Sequence, residues 1–164
     1  MKSTDSLIGR EGLLALLDEA YDHKAWHGPN LKGAVRRLDA GTAAWRPASG
    51  RHTIAEIVVH AAYWKYAVRR RLRGDKRGSF PLKGSNWFAL PEPIDERAWR
   101  SYLRLLDAQH AELRQTVAEF PPKRLAEATP GSQIINARLI CGAAMHDIYH
   151  AGQIQTLKAL QKGT

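Results

Sequence analysis

The stretch that decides the fold covers residues 132–160, SQIINARLICGAAMHDIYHAGQIQTLKAL. Its apolar residues recur every three to four positions without a proline, which predicts a long amphipathic helix. The stripe that we expect to face inward is Ile135, Leu139, Gly142, His146, Tyr149 or His150, Gln153, Leu157 and Leu160. Two histidines and a glutamine therefore interrupt an otherwise apolar or small-residue face, and this is where we look for chemistry.

Three further segments have the same helical spacing, and none has the sustained alternation of a half-buried strand. The first ends at Gly28-Pro29, and the third is broken by Pro121-Pro122. The second is capped by Thr53, with Glu56 as its capping-box partner, and ends at Gly74. The predicted bounds are about residues 6–27, 54–72, 95–120 and 132–160, with a short helical piece at Leu31 to Leu38. The pattern predicts an all-α fold, a single four-helix bundle domain over residues 1–164.

A long loop joins the second and third helices. Residues 75–93, DKRGSFPLKGSNWFALPEP, are rich in glycine and proline yet contain Phe80, Trp87 and Phe88. Loops of this length are uncommon in compact domains and are often functional. We expect Trp87 to pack over a site in the bundle, and the alternative is that the aromatics only anchor the loop.

The composition bounds the location and the partners. The single cysteine, Cys141, cannot form an intramolecular disulfide, which fits a reducing compartment. The first residues lack the apolar core of a signal peptide, and no run of apolar residues is long enough to span a membrane. We expect a soluble cytoplasmic protein without a membrane partner.

The chain is basic, with 25 Lys and Arg against 16 Asp and Glu, for a net charge of +9. Such a charge favours anionic partners in general. Much of it lies at the end of the second helix, in Arg69, Arg70, Arg71, Arg73, Lys76 and Arg77. Cations there offset the negative end of the helix dipole. Since no nucleic-acid-binding signature accompanies the run, we predict no sequence-specific nucleic-acid binding.

Three histidines are candidate metal ligands. His146 and His150 are four residues apart on one helix, so their side chains lie one turn apart. On the second helix His60 stands in an apolar stripe where leucine is expected. Three imidazoles leave a coordination position for water or substrate, which is typical of a catalytic site. The alternative, buried histidines that each make one hydrogen bond, stays open at this point, and the ligand type does not select the metal.

Other polar residues near these positions are candidates for the pocket. Glu56 either orients His60 or only caps its helix, and Gln153 either holds a substrate or pairs with backbone. His27 is a further candidate, although it abuts a helix break. Asp147 replaces the glutamate of the His-Glu-x-x-His motif, which disfavours a metalloprotease. Cys141 lies about 140° around the helix from His146, and we interpret it as a core residue.

Several segments resemble the DinB-like superfamily of damage-inducible four-helix metal-binding proteins: Trp26-His27-Gly28-Pro29-Asn30-Leu31, Ala44-Trp45-Arg46-Pro47, residues 54–60 and His146-Asp147-Ile148-Tyr149-His150-Ala151-Gly152-Gln153-Ile154. The resemblance covers nearly the whole chain. It implies one divalent metal ion, zinc or nickel, on His60, His146 and His150. The family includes metal-dependent transferases that use low-molecular-weight thiols.

Three hypotheses follow for the function. The first is a metal-dependent enzyme, a thiol transferase or hydrolase, that activates a thiol or water and takes a small, anionic substrate at its basic rim. The second is a non-catalytic metal-binding protein associated with stress or DNA damage. The third is nucleic-acid binding through the run from Arg69 to Arg77. A homodimer is compatible with each of them.

Overall fold

A computed structural model describes residues 8–129 and 131–163. Within these ranges the chain forms six α-helices and one 3-10 turn, and no strand. The helices are α1 (Arg10–Tyr21), α2 (Leu31–Val35), α3 (Ala40–Ala44), α4 (Ile54–Arg73), α5 (Glu96–Glu119) and α6 (Asn136–Lys162), and the 3-10 turn is Pro122–Arg124. The predicted all-α fold is confirmed.

The four longer helices pack as a bundle. α1 contacts α5 and α6, and α4 contacts the same two helices, so the four enclose a common core. The short α2 packs on α6, and α3 packs on α4 and α5. No helix in the described ranges combines the length and the apolar character that crossing a membrane requires.

The ends of α4 follow the sequence closely. The Thr53 side chain accepts a hydrogen bond from the Glu56 amide, and the Glu56 side chain accepts one from the Thr53 amide. At the other end Gly74 adopts the left-handed conformation, with φ of 75°, which ends the helix without a side-chain clash. The predicted capping box and the predicted stop at Gly74 are both confirmed.

The predicted bounds of the first helix were wrong at its end. α1 ends at Tyr21, not at residue 27, because Asp22, His23 and Lys24 are exposed and offer no apolar side chain to the core. Residues 6 and 7, where we placed its start, lie outside the described residues. The piece expected at residues 31–38 ends at Val35, and Asp39 caps a separate helix, α3, that the sequence pattern did not predict.

The predicted inward stripe of α6 was also wrong in part. Ile135, Gly142 and Leu160 are exposed, and of the two alternatives Tyr149 and His150 it is His150 that is buried. The buried face of α6 runs instead along Ala137, Ile140, Ala144, Asp147, Ala151 and Ile154. Apolar residues lie all around this helix, so their spacing predicts a helix but does not choose which side faces the core. The helix starts at Asn136 rather than Ser132, where the Asn136 side chain donates to the Arg124 carbonyl at 2.8 Å.

Candidate metal centre

Three histidine side chains from two helices meet at one point. His60 projects from α4, and His146 and His150 project from successive turns of α6. The Nε2 atom of His146 lies 3.1 Å from Nε2 of His60 and 3.0 Å from Nε2 of His150. His60 and His150 are 5% and 2% exposed, and His146 is half-buried. Among the described residues, these three form the group of His, Cys, Asp or Glu side chains placed closely enough to hold one metal ion.

The outer nitrogen of two of these rings is occupied by an acceptor. Nδ1 of His60 lies 2.9 Å from the backbone carbonyl of Asn86, and Nδ1 of His150 lies 2.7 Å from Oε1 of Gln153. Because neither oxygen can donate, each Nδ1 carries the proton and each Nε2 of these two rings presents a lone pair. His146 can donate a proton to at most one of them, so at least one pair of facing nitrogens lacks a proton between them. The two lone pairs of that pair of nitrogens repel each other. A cation at the centre removes this repulsion, and the three nitrogens therefore fit a metal ion.

Burial keeps the rings neutral. Burial lowers the pKa of His60 to about 4 against the opposing effect of the hydrogen bond to the Asn86 carbonyl, and the charges that His150 and His52 would carry contribute to this lowering. Burial lowers the pKa of His146 to about 3, followed by the charges of His150 and His60. The pKa of His150 is lowered as well, mainly by burial. Neutral imidazole is the form that binds metal, so the site is ready to bind at neutral pH.

Trp87 of the long loop covers one side of the cluster. Its ring lies parallel to the His60 ring, with centroids 3.8 Å apart and an interplanar angle of 9°. The other face of the indole stacks on His52, with centroids 3.5 Å apart. Phe88 is buried in the core beside it, and Phe80 packs against the core. The loop therefore both anchors itself through its phenylalanines and presents Trp87 to the site.

Asn86 shapes this part of the loop, and the sequence pattern did not single it out. It adopts a left-handed backbone conformation, with φ of 62°, which asparagine tolerates better than most residues. Its side-chain oxygen accepts a hydrogen bond from Trp64 Nε1 at 3.0 Å, and its backbone carbonyl meets His60. The signal in the sequence that could have identified Asn86 is its position directly before Trp87 in a loop rich in glycine.

The remaining candidates divide into those near the cluster and those away from it. Gln153 contacts His150 directly, and its amide donates to the Tyr149 hydroxyl at 3.0 Å. Glu56 does not orient His60: its carboxylate caps α4 and accepts hydrogen bonds from Arg46. His27 is exposed on the loop after α1 and lies outside the histidine group.

The comparison with known families agrees with this arrangement. The family model of the DinB superfamily matches residues 24–154, which is most of the chain and includes all three histidines. The chain belongs to the DinB superfamily. No curated protein and no solved structure matches it.

One cavity of this DinB-superfamily chain opens on the cluster. It has a volume of about 620 Å³ and is lined on one side by His146. Its other walls are mainly apolar and come from α4, α6 and the segment before α6, and Arg138 lies at its edge. The apolar wall residues are Trp64, Val68, Ile134, Ile135, Leu139 and Ala143. A ligand in this cavity meets the cluster at His146. Among the described residues that line the cavity, Arg138 is the one charged side chain.

A second group of buried polar residues lies beside the cluster, and sequence reasoning missed it. Lys65 and Asp147 form an ion pair in which both side chains are 1% exposed. Lys65 Nζ also lies 3.3 Å from Nδ1 of His110, whose ring stacks on Tyr21. Burial raises the pKa of Asp147, and Lys65 opposes this. The position of Asp147 directly after a candidate ligand was a signal in the sequence. The stripe that we predicted to face inward did not include Asp147, so we did not expect it in the core.

Proposed function

We propose that this DinB-superfamily protein is a metal-dependent enzyme that activates a thiol or a water molecule for attack on a small substrate. The observation that supports it is the convergence of three Nε2 atoms, at 3.0 and 3.1 Å, with the Nδ1 protons of His60 and His150 fixed on acceptors. A divalent ion held there lowers the pKa of a thiol or water and so supplies a nucleophile at neutral pH. Zinc and nickel are the metals that we propose, since both suit imidazole ligands.

The protein residues around the cluster have definable tasks in this proposal. The Asn86 carbonyl and the Gln153 side chain hold His60 and His150 in the tautomer that directs Nε2 inward. Trp87 shields the cluster from water on the side of α4. With no fourth protein ligand among the described residues, a coordination position is left for the thiol, water or substrate.

The substrate that we propose enters through the cavity beside His146. Its apolar walls favour a small molecule with an apolar body, and Arg138 at the edge favours a negative group on it. We therefore propose an anionic small molecule, and not a nucleic acid, as the substrate. We also propose a cytoplasmic location, because a chain with one cysteine suits a reducing compartment.

The proposal is tested by turnover and metal content measured on the same samples. Protein purified without added ions is analysed for bound metal, stripped with a chelator and reloaded with zinc or nickel. Thiol consumption is then followed with a panel of low-molecular-weight thiols and apolar electrophiles. We expect the reloaded protein to consume thiol or hydrolyse substrate faster than the stripped protein and faster than His146→Ala. Bound metal without any such acceleration would support the alternative, a metal-binding protein without turnover.

A further inference from the structure

A cavity larger than the one at His146 lies elsewhere in the bundle. It has a volume of about 1140 Å³, is partly open to solvent and is lined by the end of α1, the loop to α2, α2 itself, the middle of α5 and the C-terminal part of α6. None of the three clustered histidines lines it. The proposed metal chemistry therefore gives this cavity no role.

Positive charge dominates the lining. Five cationic side chains, Lys24, Lys32, Arg36, Arg37 and Lys158, line the cavity together with two carboxylates, Asp22 and Asp107. Both carboxylates already have partners: Asp107 is paired with Lys32 at 2.9 Å, and Asp22 with His23 at 2.8 Å. With histidine neutral, five positive and two negative charges leave an excess of three positive charges.

Three of these cations have no carboxylate partner among the described residues. Lys24, Arg36 and Arg37 make no ion pair there, whereas Lys32 is paired with Asp107 and Lys158 donates to the Ala34 carbonyl at 3.0 Å. Arg36 and Arg37 are neighbours in the sequence and both line the cavity, and a guanidinium group offers a planar set of donors that matches the oxygens of a phosphate or carboxylate. The side chains available to a ligand are thus the ones best suited to an oxyanion.

The backbone at this position is unusual. Arg37 has a φ of 63°, the left-handed conformation that residues other than glycine, asparagine and aspartate rarely adopt. Arg37 directly follows Arg36, the C-cap of α2, and a left-handed residue at this position commonly ends a helix. The backbone therefore turns here because α2 ends, and both arginines lie where the chain leaves that helix.

The rest of the cavity is ordered and partly apolar. Asn30 donates from its side-chain amide to the His23 carbonyl at 2.8 Å and accepts from the Gly33 amide at 2.8 Å, which ties the rim loop to α2. Apolar side chains from α2, α5 and the segment between α2 and α3 line the walls: Val35, Leu38, Leu103 and Leu106. A bare inorganic ion would leave these walls unused.

We propose that this cavity is a second ligand site, one that binds a small organic oxyanion: a phosphate or carboxylate group carried on an apolar body. The oxyanion contacts Arg36 and Arg37, and the apolar body packs on the leucines of α5. Phosphate and carboxylate ligands share the oxyanion that the arginines would bind. Comparing the affinities of the two kinds of ligand distinguishes between them. The site is independent of the proposed metal-dependent reaction.

The test is calorimetric titration of metal-stripped protein with phenyl phosphate, benzoate and inorganic phosphate. We expect saturable binding of phenyl phosphate or benzoate, whichever group the arginines prefer, and weaker binding of inorganic phosphate. The double variant Arg36→Gln/Arg37→Gln should bind the better ligand about tenfold more weakly, as expected for losing hydrogen bonds to a charged group. Its matched control, Arg97→Gln/Arg104→Gln, removes the same charge from exposed positions outside the cavity and should change affinity less than about twofold.

A second variant separates binding from folding. Arg37→Gly removes the guanidinium and introduces glycine, which tolerates φ of 63°. This variant should fold normally and bind the better ligand more weakly than the unaltered protein does. Equal weakening in the two double variants would mean that the overall charge of +9 attracts the ligand, and would overturn the proposal. Absence of saturable binding, unchanged affinity in Arg37→Gly, or inorganic phosphate binding as tightly as either organic ligand would overturn it too.

Discussion

The indole ring of Trp87 lies parallel to the imidazole of His60, with ring centroids 3.8 Å apart. Because Nδ1 of His60 also contacts the neighbouring Asn86 carbonyl, two consecutive residues of one loop fix both the face and the edge of a single histidine. The long loop is therefore part of the histidine cluster and is not only a connection between α4 and α5.

Replacing Trp87 with alanine should alter ligand binding at the cluster more than it alters stability. Trp87 stacks on both His52 and His60, and each stack contributes about 0.5–1.5 kcal/mol, so we expect the free energy of unfolding to fall by about 2 kcal/mol. The affinity of cobalt-loaded protein for a thiol, followed by its visible absorption, should change more than this. Trp87→Phe keeps a stacked ring and serves as the control. A large shift of the denaturant midpoint with unchanged thiol affinity would mean that Trp87 is only an anchor.

Gln153→Ala should weaken metal binding without unfolding the protein. The Gln153 oxygen holds the Nδ1 proton of His150, and loss of such an orienting partner typically costs 10–100-fold in metal affinity, so we expect a loss of about that size. The measurement is competition for zinc against a chromophoric chelator. Thr156→Ala, one turn further along the exposed side of α6, is the matched control. Equal affinities in the two variants would remove Gln153 from the site.

Breaking the Lys65–Asp147 pair should cost far more than replacing it. Asp147→Ala leaves the Lys65 ammonium buried without its carboxylate, and such a loss costs about 3–5 kcal/mol. The double variant Lys65→Met/Asp147→Leu removes both charges and should recover most of that stability. Urea denaturation of the three proteins measures it. If the double variant were as unstable as Asp147→Ala, the cost would come from lost packing and not from an unpaired charge.

His110 should make the metal-free protein less stable in acid. Burial, followed by the nearby Lys65 charge, lowers the pKa of His110 to about 3 from an ordinary value of 6.5. Between these pH values the unfolded chain binds the proton and the folded chain does not, so stability is complete above about pH 6.5 and is lost as the pH falls toward 3. His110→Leu should reduce the slope of unfolding free energy against pH by up to about 1.4 kcal/mol per pH unit. An unchanged slope would show that His110 does not titrate in this way.

The sequence predicted the parts of the fold that local chemistry determines. Thr53, Glu56 and Gly74 specify the ends of α4 through their own hydrogen bonds and backbone conformation, so the pattern alone located them. The same holds for α5, which Asp95 caps and which ends before Pro121-Pro122. The family resemblance is confirmed by the match to the DinB superfamily over residues 24–154.

What could not be predicted depends on tertiary contacts. The apolar residues of α6 surround the helix, so only packing against α1 and α4 determines that Asp147 faces the core and Gly142 faces outward. The partner of Asp147, Lys65, lies 82 residues earlier, and nothing local marks it as buried. Asn86 acts through its backbone carbonyl, which no side-chain pattern records.

The most direct test of the account is the metal stoichiometry of the purified protein and of single histidine variants, with helical content measured by circular dichroism. We predict one divalent ion per chain in the unaltered protein and its loss in each of His60→Ala, His146→Ala and His150→Ala, with helical content largely retained because the bundle core and not the ion should dominate stability. The exposed His27→Ala is the control and should keep its metal. Full metal retention in any of the three variants would remove that histidine from the ligand set, and retention in all three would contradict the account.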